Sequence, residues 1–429
     1  MTRRRYRVYF LLFLFNAICY LDRINMSVAG RSVAGEFGLS PIQLGYLLSS
    51  FLWAYVAMML PSGRAVDSWG ATRMAAIGAG VWSVAQILSG TATGFGTMIL
   101  TRLGLGAGEA PTFPVSYRTV RDWAPASERG LAIGCIQAGT MFGPALSAPL
   151  VAWLIAATSW RVSFFVTGTV GLVWVAVWMG LVSTPEKTSW LPEKERRHIV
   201  AERQGQETMA DHGGVGYRGL LRSPSMWGLA ISQGCAVYSV YLYLSWLPNY
   251  LQTARGLSIV NSGLFTSVPF LVGGAVIVLT NWIGDKVVTP QSRGTGARRI
   301  VVVVCLALCA VGVAIPFVDS LTMVVVLTIF PVSFGGTASA TNAALATDLL
   351  RSPADSGRAF AFMVLGGNVF GVLAPIVTGY IVQITGSFSS AFVLAGGLSL
   401  FGAAVSFAMT RHTLGEERPM LAGAMRAAG

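Results

Sequence analysis

The run Val8-Tyr9-Phe10-Leu11-Leu12-Phe13-Leu14-Phe15-Asn16-Ala17-Ile18-Cys19-Tyr20-Leu21-Asp22-Arg23-Ile24-Asn25-Met26-Ser27-Val28-Ala29 decides the fold. About 20 predominantly apolar residues cross a ~30 Å hydrocarbon core. This run has that length, yet it carries two adjacent ionised residues, Asp22 and Arg23. Two more, Arg102 and Glu109, sit in a later apolar stretch. An ionised side chain at the centre of a spanning helix costs about 2.5–3.5 kcal/mol even on the lenient insertion scale. Four facing lipid would cost on the order of 10 kcal/mol. They must therefore face one another, water or a ligand, and an aqueous path through a membrane protein is the first hypothesis.

The rest of the chain agrees. Of its 429 residues 54% are hydrophobic and 11% charged, against roughly 25% charged in soluble domains. Similar runs recur, predicting an all-α membrane protein of twelve transmembrane helices near 8–29, 41–61, 73–92, 96–120, 129–155, 160–183, 225–250, 258–284, 298–317, 321–346, 358–384 and 388–410. One long charged stretch interrupts them and divides the chain into an N-terminal six-helix bundle (1–183), a linker loop (184–223) and a C-terminal six-helix bundle with its tail (224–429). A solvated linker is the default reading of this stretch, with a short surface helix over 191–203 as the alternative.

A formal charge of +12 raises the question of nucleic acid. Its distribution answers it. Arg23 and Arg102 lie in spans, Arg31, Arg161 and Arg255 in loops on one side, and the remainder of the 30 Lys and Arg on the other. That is the positive-inside bias, which puts both termini in the cytoplasm of a bacterial-type inner membrane and leaves no nucleic-acid partner. The cysteines lie in apolar segments without a disulfide framework or metal spacing. His198, His212 and His412 fall in the linker and tail, and no glycine-rich phosphate loop appears. No metal or cofactor is expected, and ATP-driven transport has no support. The first span is too long for a removed signal.

The halves echo each other. Gly63-Arg64-Ala65-Val66-Asp67-Ser68-Trp69-Gly70-Ala71-Thr72-Arg73 follows the second span, and Gly284-Asp285-Lys286 with Arg293, Arg298 and Arg299 follows the eighth. Gly143-Pro144 and Ala148-Pro149 interrupt the fifth span as Gly371 and Ala374-Pro375 interrupt the eleventh. Paired Gly/Pro-interrupted helices point to a transporter with its site on a pseudo-twofold axis.

At these residues the chain resembles the major facilitator superfamily, whose loop between helices two and three reads G-x-x-x-D-x-x-G-x-x-R; Ser68 stands where a basic residue is usual. Tyr20-Leu21-Asp22-Arg23-Ile24-Asn25, Arg102 to Ala110, and Trp123-Ala124-Pro125 with Glu128-Arg129-Gly130 resemble the anion:cation symporter branch, and Asn368, Gly371 and Pro375 extend the likeness into the second half. The resemblance implies proton-coupled uptake of organic anions such as sugar acids, with protons as the coupling ion.

At about 1.5 Å per helical residue, Asp22, Arg23 and Arg102 are expected to share a level in the outer third, with Glu109 near mid-membrane. Asp22 is expected to pair with Arg102, leaving Arg23 to anchor a substrate carboxylate through its planar fork. Glu109 is expected to carry a proton. Protons on both Asp22 and Glu109 would move one net positive charge per monoanion, worth about 2.3 kcal/mol per 100 mV. A structural ion network between helices one and four is the bland alternative.

Tyr20 and Tyr55 match aromatic positions lining the resembled family's cavity. Gln137 and Thr140 are candidate hydrogen-bonding partners for a hydroxylated substrate, and Asn342 and Asn368 are amides at membrane depth that need partners. For each, a packing or interhelical role is the alternative. Asp67, Arg73 and Asp285 are assigned to gating between the halves. The expectation is a monomeric secondary transporter in the lipid bilayer, rocking about a central cavity. A non-transporting sensor of the same anion, an exchanger or an efflux carrier are the alternatives, and an enzyme is not expected.

Overall fold

A computed structural model describes residues 4–207, 216–287, 298–350 and 355–414, and among them no strand occurs. The first half comprises α1 (Tyr6–Phe37), α2 (Pro41–Trp69), α3 (Ala71–Ser89), α4 (Phe95–Glu109), α5 (Thr112–Trp123), α6 (Arg129–Ala157) and α7 (Trp160–Leu181). Two short helices follow, α8 (Glu193–Glu207) and α9 (Gly216–Arg222). The second half comprises α10 (Pro224–Thr253), α11 (Ile259–Val287), α12 (Arg298–Cys309) continued by a 3-10 segment (Ala310–Phe317), α13 (Leu321–Leu349), α14 (Ser356–Thr385) and α15 (Ser389–Met409).

With α4–α5 and α12 plus its 3-10 segment each taken as one span, the described residues form the expected twelve. Nine of them are long and apolar enough to cross a membrane by composition alone. The others are α3, the charge-bearing α4–α5 and the Ser-, Tyr- and Gln-rich α10. Nearly every residue of α10 from Gly228 to Gln252 is buried, so its polar groups meet protein rather than lipid.

Three local departures from expectation have simple causes. Helix α1 runs on to Phe37, where Gly38 at φ 63° caps it through a bond to the Ala34 carbonyl. At about 48 Å it is longer than the bilayer core, which puts Asp22 and Arg23 at its middle rather than in an outer third. The segment read as a loop from Gly63 is helical through Trp69, and Gly70 at φ 84°, a conformation that favours glycine, turns the chain into α3. The fourth span breaks after Glu109 because Pro111 has no N–H to continue the ladder.

Small residues set how close the helices come. A side chain at Gly106 of α4 would run into the Phe51 carbonyl of α2 and lie 3.1 Å from the Tyr55 nitrogen. Overpacking of this kind costs about 1–3 kcal/mol, and here the obstacle is backbone, which cannot swing away. Gly106→Ala is expected to lower the thermal midpoint of the detergent-purified protein markedly. Gly96→Ala, with nothing within 4 Å, should leave it nearly unchanged.

The start of α10 and the end of α15 lie on one side of the bundle, the terminal side: Ser225 donates to the Met409 carbonyl. On the opposite, far side the halves are tied together. Ser27 donates to the Ser245 carbonyl (2.6 Å) and Arg31 to the Gln252 carbonyl (2.9 Å), while Ser49 donates to the Val372 carbonyl (2.8 Å) and Tyr46 meets Tyr380 (3.2 Å). A Cβ on Gly45 would sit 2.6 Å from the Pro375 carbonyl, so α2 and α14 touch backbone to backbone. On the terminal side Gln137 and Asp67 are exposed. The far side is therefore the closed one.

A latch holds the linker to the terminal face. Arg5 bridges Glu128 (2.7 Å) and Glu195 of α8 (2.8 Å), and the Tyr6 and Tyr9 hydroxyls donate to Glu128. Arg5→Ala would leave Glu195, now buried, without its cation. It is expected to make the peptide bonds flanking α8 more susceptible to limited proteolysis than in the parent.

Candidate functional site

Arg23, Arg102 and Glu109 converge where α1, α2, α4 and α10 meet, with Arg23 at the hub and Asp22 beside it on α1. Its Nε donates to Glu109 Oε2 at 2.8 Å and its Nη1 to the Tyr241 hydroxyl at 3.2 Å. Its guanidinium carbon lies 4.7, 5.1 and 5.3 Å from the ring centres of Tyr20, Phe51 and Tyr55. A desolvated guanidinium over an aromatic face gains about 2 kcal/mol or more, which helps hold a charge where water is scarce. Arg102 lies against the Phe51 ring too, at 5.2 Å, so one phenyl contacts both cations.

The pairing differs from the sequence expectation. Arg23, not Arg102, holds a carboxylate, and its partner is Glu109 rather than Asp22. The reason is the length of α1. Counted along their spans, Arg23 and Glu109 come to the same mid-membrane level, while Arg102 lies two turns farther toward the far side. Asp22 points roughly 100° away from Arg23 on the helix, toward α7. There Thr167 accepts from Asn25 and from Gln86, each at 3.0 Å, and Ser163 donates to Asn25.

The site is under-satisfied. Both Asp22 oxygens, Arg23 Nη2, Glu109 Oε1, and Arg102 Nε and Nη1 are buried without a hydrogen-bond partner among the described residues. A buried ion pair stabilises a fold well only when its remaining lone pairs and protons are met. Four charges with open valences are a poor way to glue helices, and their open valences suit a ligand that supplies acceptors.

Of the other sequence candidates, Tyr20 and Tyr55 are in the cage, and Tyr20 is part-exposed. Gln137 is exposed on α6, a turn toward the terminal side from Met141, which faces Gly274 of α11. Thr140 is buried and donates to the Gln137 carbonyl of its own helix. Asn342 is engaged between helices: it donates to the Leu229 carbonyl and Gln233 and accepts from Ser232. Asn368 stands one turn along α14 from Val372, at the terminal-side end of the α2–α14 seam. Asp67 pairs with Arg118 of its own half at 3.5 Å, Arg73 is exposed, and the side chain of Asp285 lies outside the described residues.

Tyr241, Phe51, Thr167 and Gln86 belong to the site but were not singled out. A partial signal for Tyr241 existed. It and Arg23 each stand seventeen residues after the first residue of their helices, Pro224 and Tyr6, near the middle of the first span of each half. Gln86, an amide inside an apolar span, could have been found by asking what satisfies it.

Helix content, two six-span halves and a charged hub on the axis between them define a polytopic carrier. The chain belongs to the Major Facilitator Superfamily, whose family model matches residues 11–295 and 292–422. It is 33% identical over 415 residues to the probable galactarate/D-glucarate transporter of Bacillus subtilis (strain 168), covering 92% of this chain and 89% of that one. It is 30% identical over 419 residues to the D-galactonate transporter of Escherichia coli O6:H1, with 94% of each covered. Its fold matches the inward-open conformation of the xylose transporter of E. coli with a TM-score of 0.74 at 16% identity, over 94% of this chain and 96% of that one.

Proposed function

We propose that this transporter takes up a small hydroxylated carboxylate, most simply a sugar acid, by proton-coupled symport. The named substrates of the two relatives above, galactarate, D-glucarate and D-galactonate, are of this class. The observation that carries the reading is the double engagement of Arg23. It is bound to Glu109 of its own half and to Tyr241 of the other, with a guanidinium nitrogen and a carboxylate oxygen left open.

The coupling follows from competition for one cation. Deprotonated Glu109 neutralises Arg23. A proton on Glu109 removes that counter-charge, and the guanidinium fork turns to the substrate carboxylate, which it matches in bidentate geometry. Anion and proton therefore enter together and leave together. Asp22 carries the second proton, which makes the cycle of a monoanion electrogenic by one charge. Thr140, Gln137 and Asn368 face the substrate's hydroxyls, while Asn342 supports α10 and α13 behind them. Asp67, Arg73 and Asp285 act when the terminal side closes. The basic residues put that side in the cytoplasm of a bacterial inner membrane, so this conformation is inward-facing and the closed side is the outside. The protein works as a monomer.

Proteoliposomes given an inward proton gradient are expected to accumulate labelled D-galactonate or D-glucarate, with an inward current when D-galactonate is added to solid-supported membranes. Equilibration without accumulation, or accumulation independent of the gradient, contradicts symport.

A further inference from the structure

On the far side lies a cavity of about 640 Å³ that the account of the central site does not use. It sits over the closed seam and is lined by the ends of α1, α10 and α14 and the start of α15. Two of the three basic residues expected on the far side, Arg31 and Arg255, line it together with Asn249, Thr253, Ser389 and Trp246, and its lining contains no Asp or Glu. The neighbouring carboxylate of Glu36 is taken up elsewhere, by Arg161 at 2.7 Å and the Trp160 indole at 2.6 Å.

Neither guanidinium is saturated. Among the described residues Arg31 donates only from Nη1, to the Gln252 carbonyl. Arg255 donates from Nε to the Tyr250 hydroxyl and from Nη2 to the Ile315 and Val318 carbonyls, leaving Nη1. These carbonyls fix Arg255 in place while its charge stays unneutralised. A volume of this size lies within the range of small-molecule sites, and two uncompensated cations in a concave wall raise the local concentration of anions.

The position is as informative as the charge. Along α1, Arg23, Ser27 and Arg31 recur every four residues, and each donates across the seam to α10, to Tyr241, Ser245 and Gln252 in turn. The hub arginine is the innermost rung of this ladder and Arg31 the outermost, about 12 Å apart along the helix. One carboxylate cannot touch both.

We propose that this vestibule is a separate entry site for the organic anion. The carboxylate binds between Arg31 and Arg255, and Arg31 exchanges the Gln252 carbonyl for it, releasing the outermost rung of the seam. Asn249, Thr253 and Ser389 meet hydroxyls, and Trp246 packs on the carbon chain. The identity of the anion rests on the symport reading; the site's anion selectivity does not.

The test uses the purified full chain carrying Thr253→Cys, an exposed lining position, and methanethiosulfonate reagents of opposite charge, with labelling of the native cysteines subtracted. The anionic reagent is expected to react several-fold faster than the cationic one. Millimolar D-galactonate or D-glucarate should slow the reaction, and that protection should persist in Arg23→Ala and vanish in Arg31→Gln/Arg255→Gln. A neutral thiol reagent, reacting equally in all variants, reports that each is folded. No preference for the anionic reagent, no protection, protection lost in Arg23→Ala, or protection retained in the double variant would each overturn the proposal. Protection without proteoliposome uptake of the same anion overturns the symport reading and leaves the vestibule standing; uptake without protection does the reverse.

Discussion

Arg23→Lys is expected to abolish uptake, with a loss of at least about 100-fold, in a protein that still folds. The charge is kept, so a role in simple neutralisation of Glu109 would tolerate the change. What lysine lacks is the planar fork that reaches Glu109 and Tyr241 at once, and its compact ammonium does not spread over the Tyr20, Phe51 and Tyr55 rings as a guanidinium does. Breaking one side of a buried, hydrogen-bonded charge pair costs about 2–5 kcal/mol, and every tenfold in affinity is about 1.4 kcal/mol. Initial rates in proteoliposomes, with size-exclusion profiles as the control for folding, measure it. Near-parental uptake would mean that the anion is anchored elsewhere.

Glu109→Gln is expected to split the cycle instead of stopping it. Glutamine has the shape of the protonated acid and cannot release a proton, so Arg23 stays free of its counter-charge. The anion should still bind, and its affinity should depend less steeply on pH than the parent's, since only Asp22 still titrates with binding. Accumulation driven by a pH gradient should fall clearly below the parent's, because the proton of Glu109 no longer accompanies the anion and only that of Asp22 does. Counterflow, the exchange of internal unlabelled for external labelled anion, should remain. A variant that accumulates D-galactonate on a pH gradient as far as the parent would remove Glu109 from the coupling; one that loses binding altogether would make it a structural partner of Arg23 alone.

Much of this was written in the chain. Apolar runs, the linker and the paired Gly/Pro interruptions were enough for twelve spans in two halves, since a bilayer admits few other solutions for such runs. That Asp22, Arg23, Arg102 and Glu109 would turn away from lipid was also legible, because each is costly there. Which cation met which carboxylate was not. The answer hangs on depth, depth on where α1 starts and stops, and it runs to Phe37, eight residues beyond the expected end at 29, before the left-handed turn at Gly38 stops it. Asn342 shows the same limit from another direction. An amide at membrane depth must be satisfied, but whether by ligand or by the Leu229 carbonyl depends on the neighbouring helix. Tyr241 became visible only with α10 packed against α1, where its hydroxyl meets Arg23.

The central claim is that a proton on Glu109 frees Arg23 for the anion, so the two ligands bind as a pair. Proton uptake on anion binding tests it most directly: D-galactonate or D-glucarate is added to weakly buffered purified protein and the pH change is read. The parent is expected to take up at least one proton per anion bound, and Glu109→Gln one fewer. Saturable binding of either anion with no proton taken up by the parent, or the same uptake in Glu109→Gln, would contradict it.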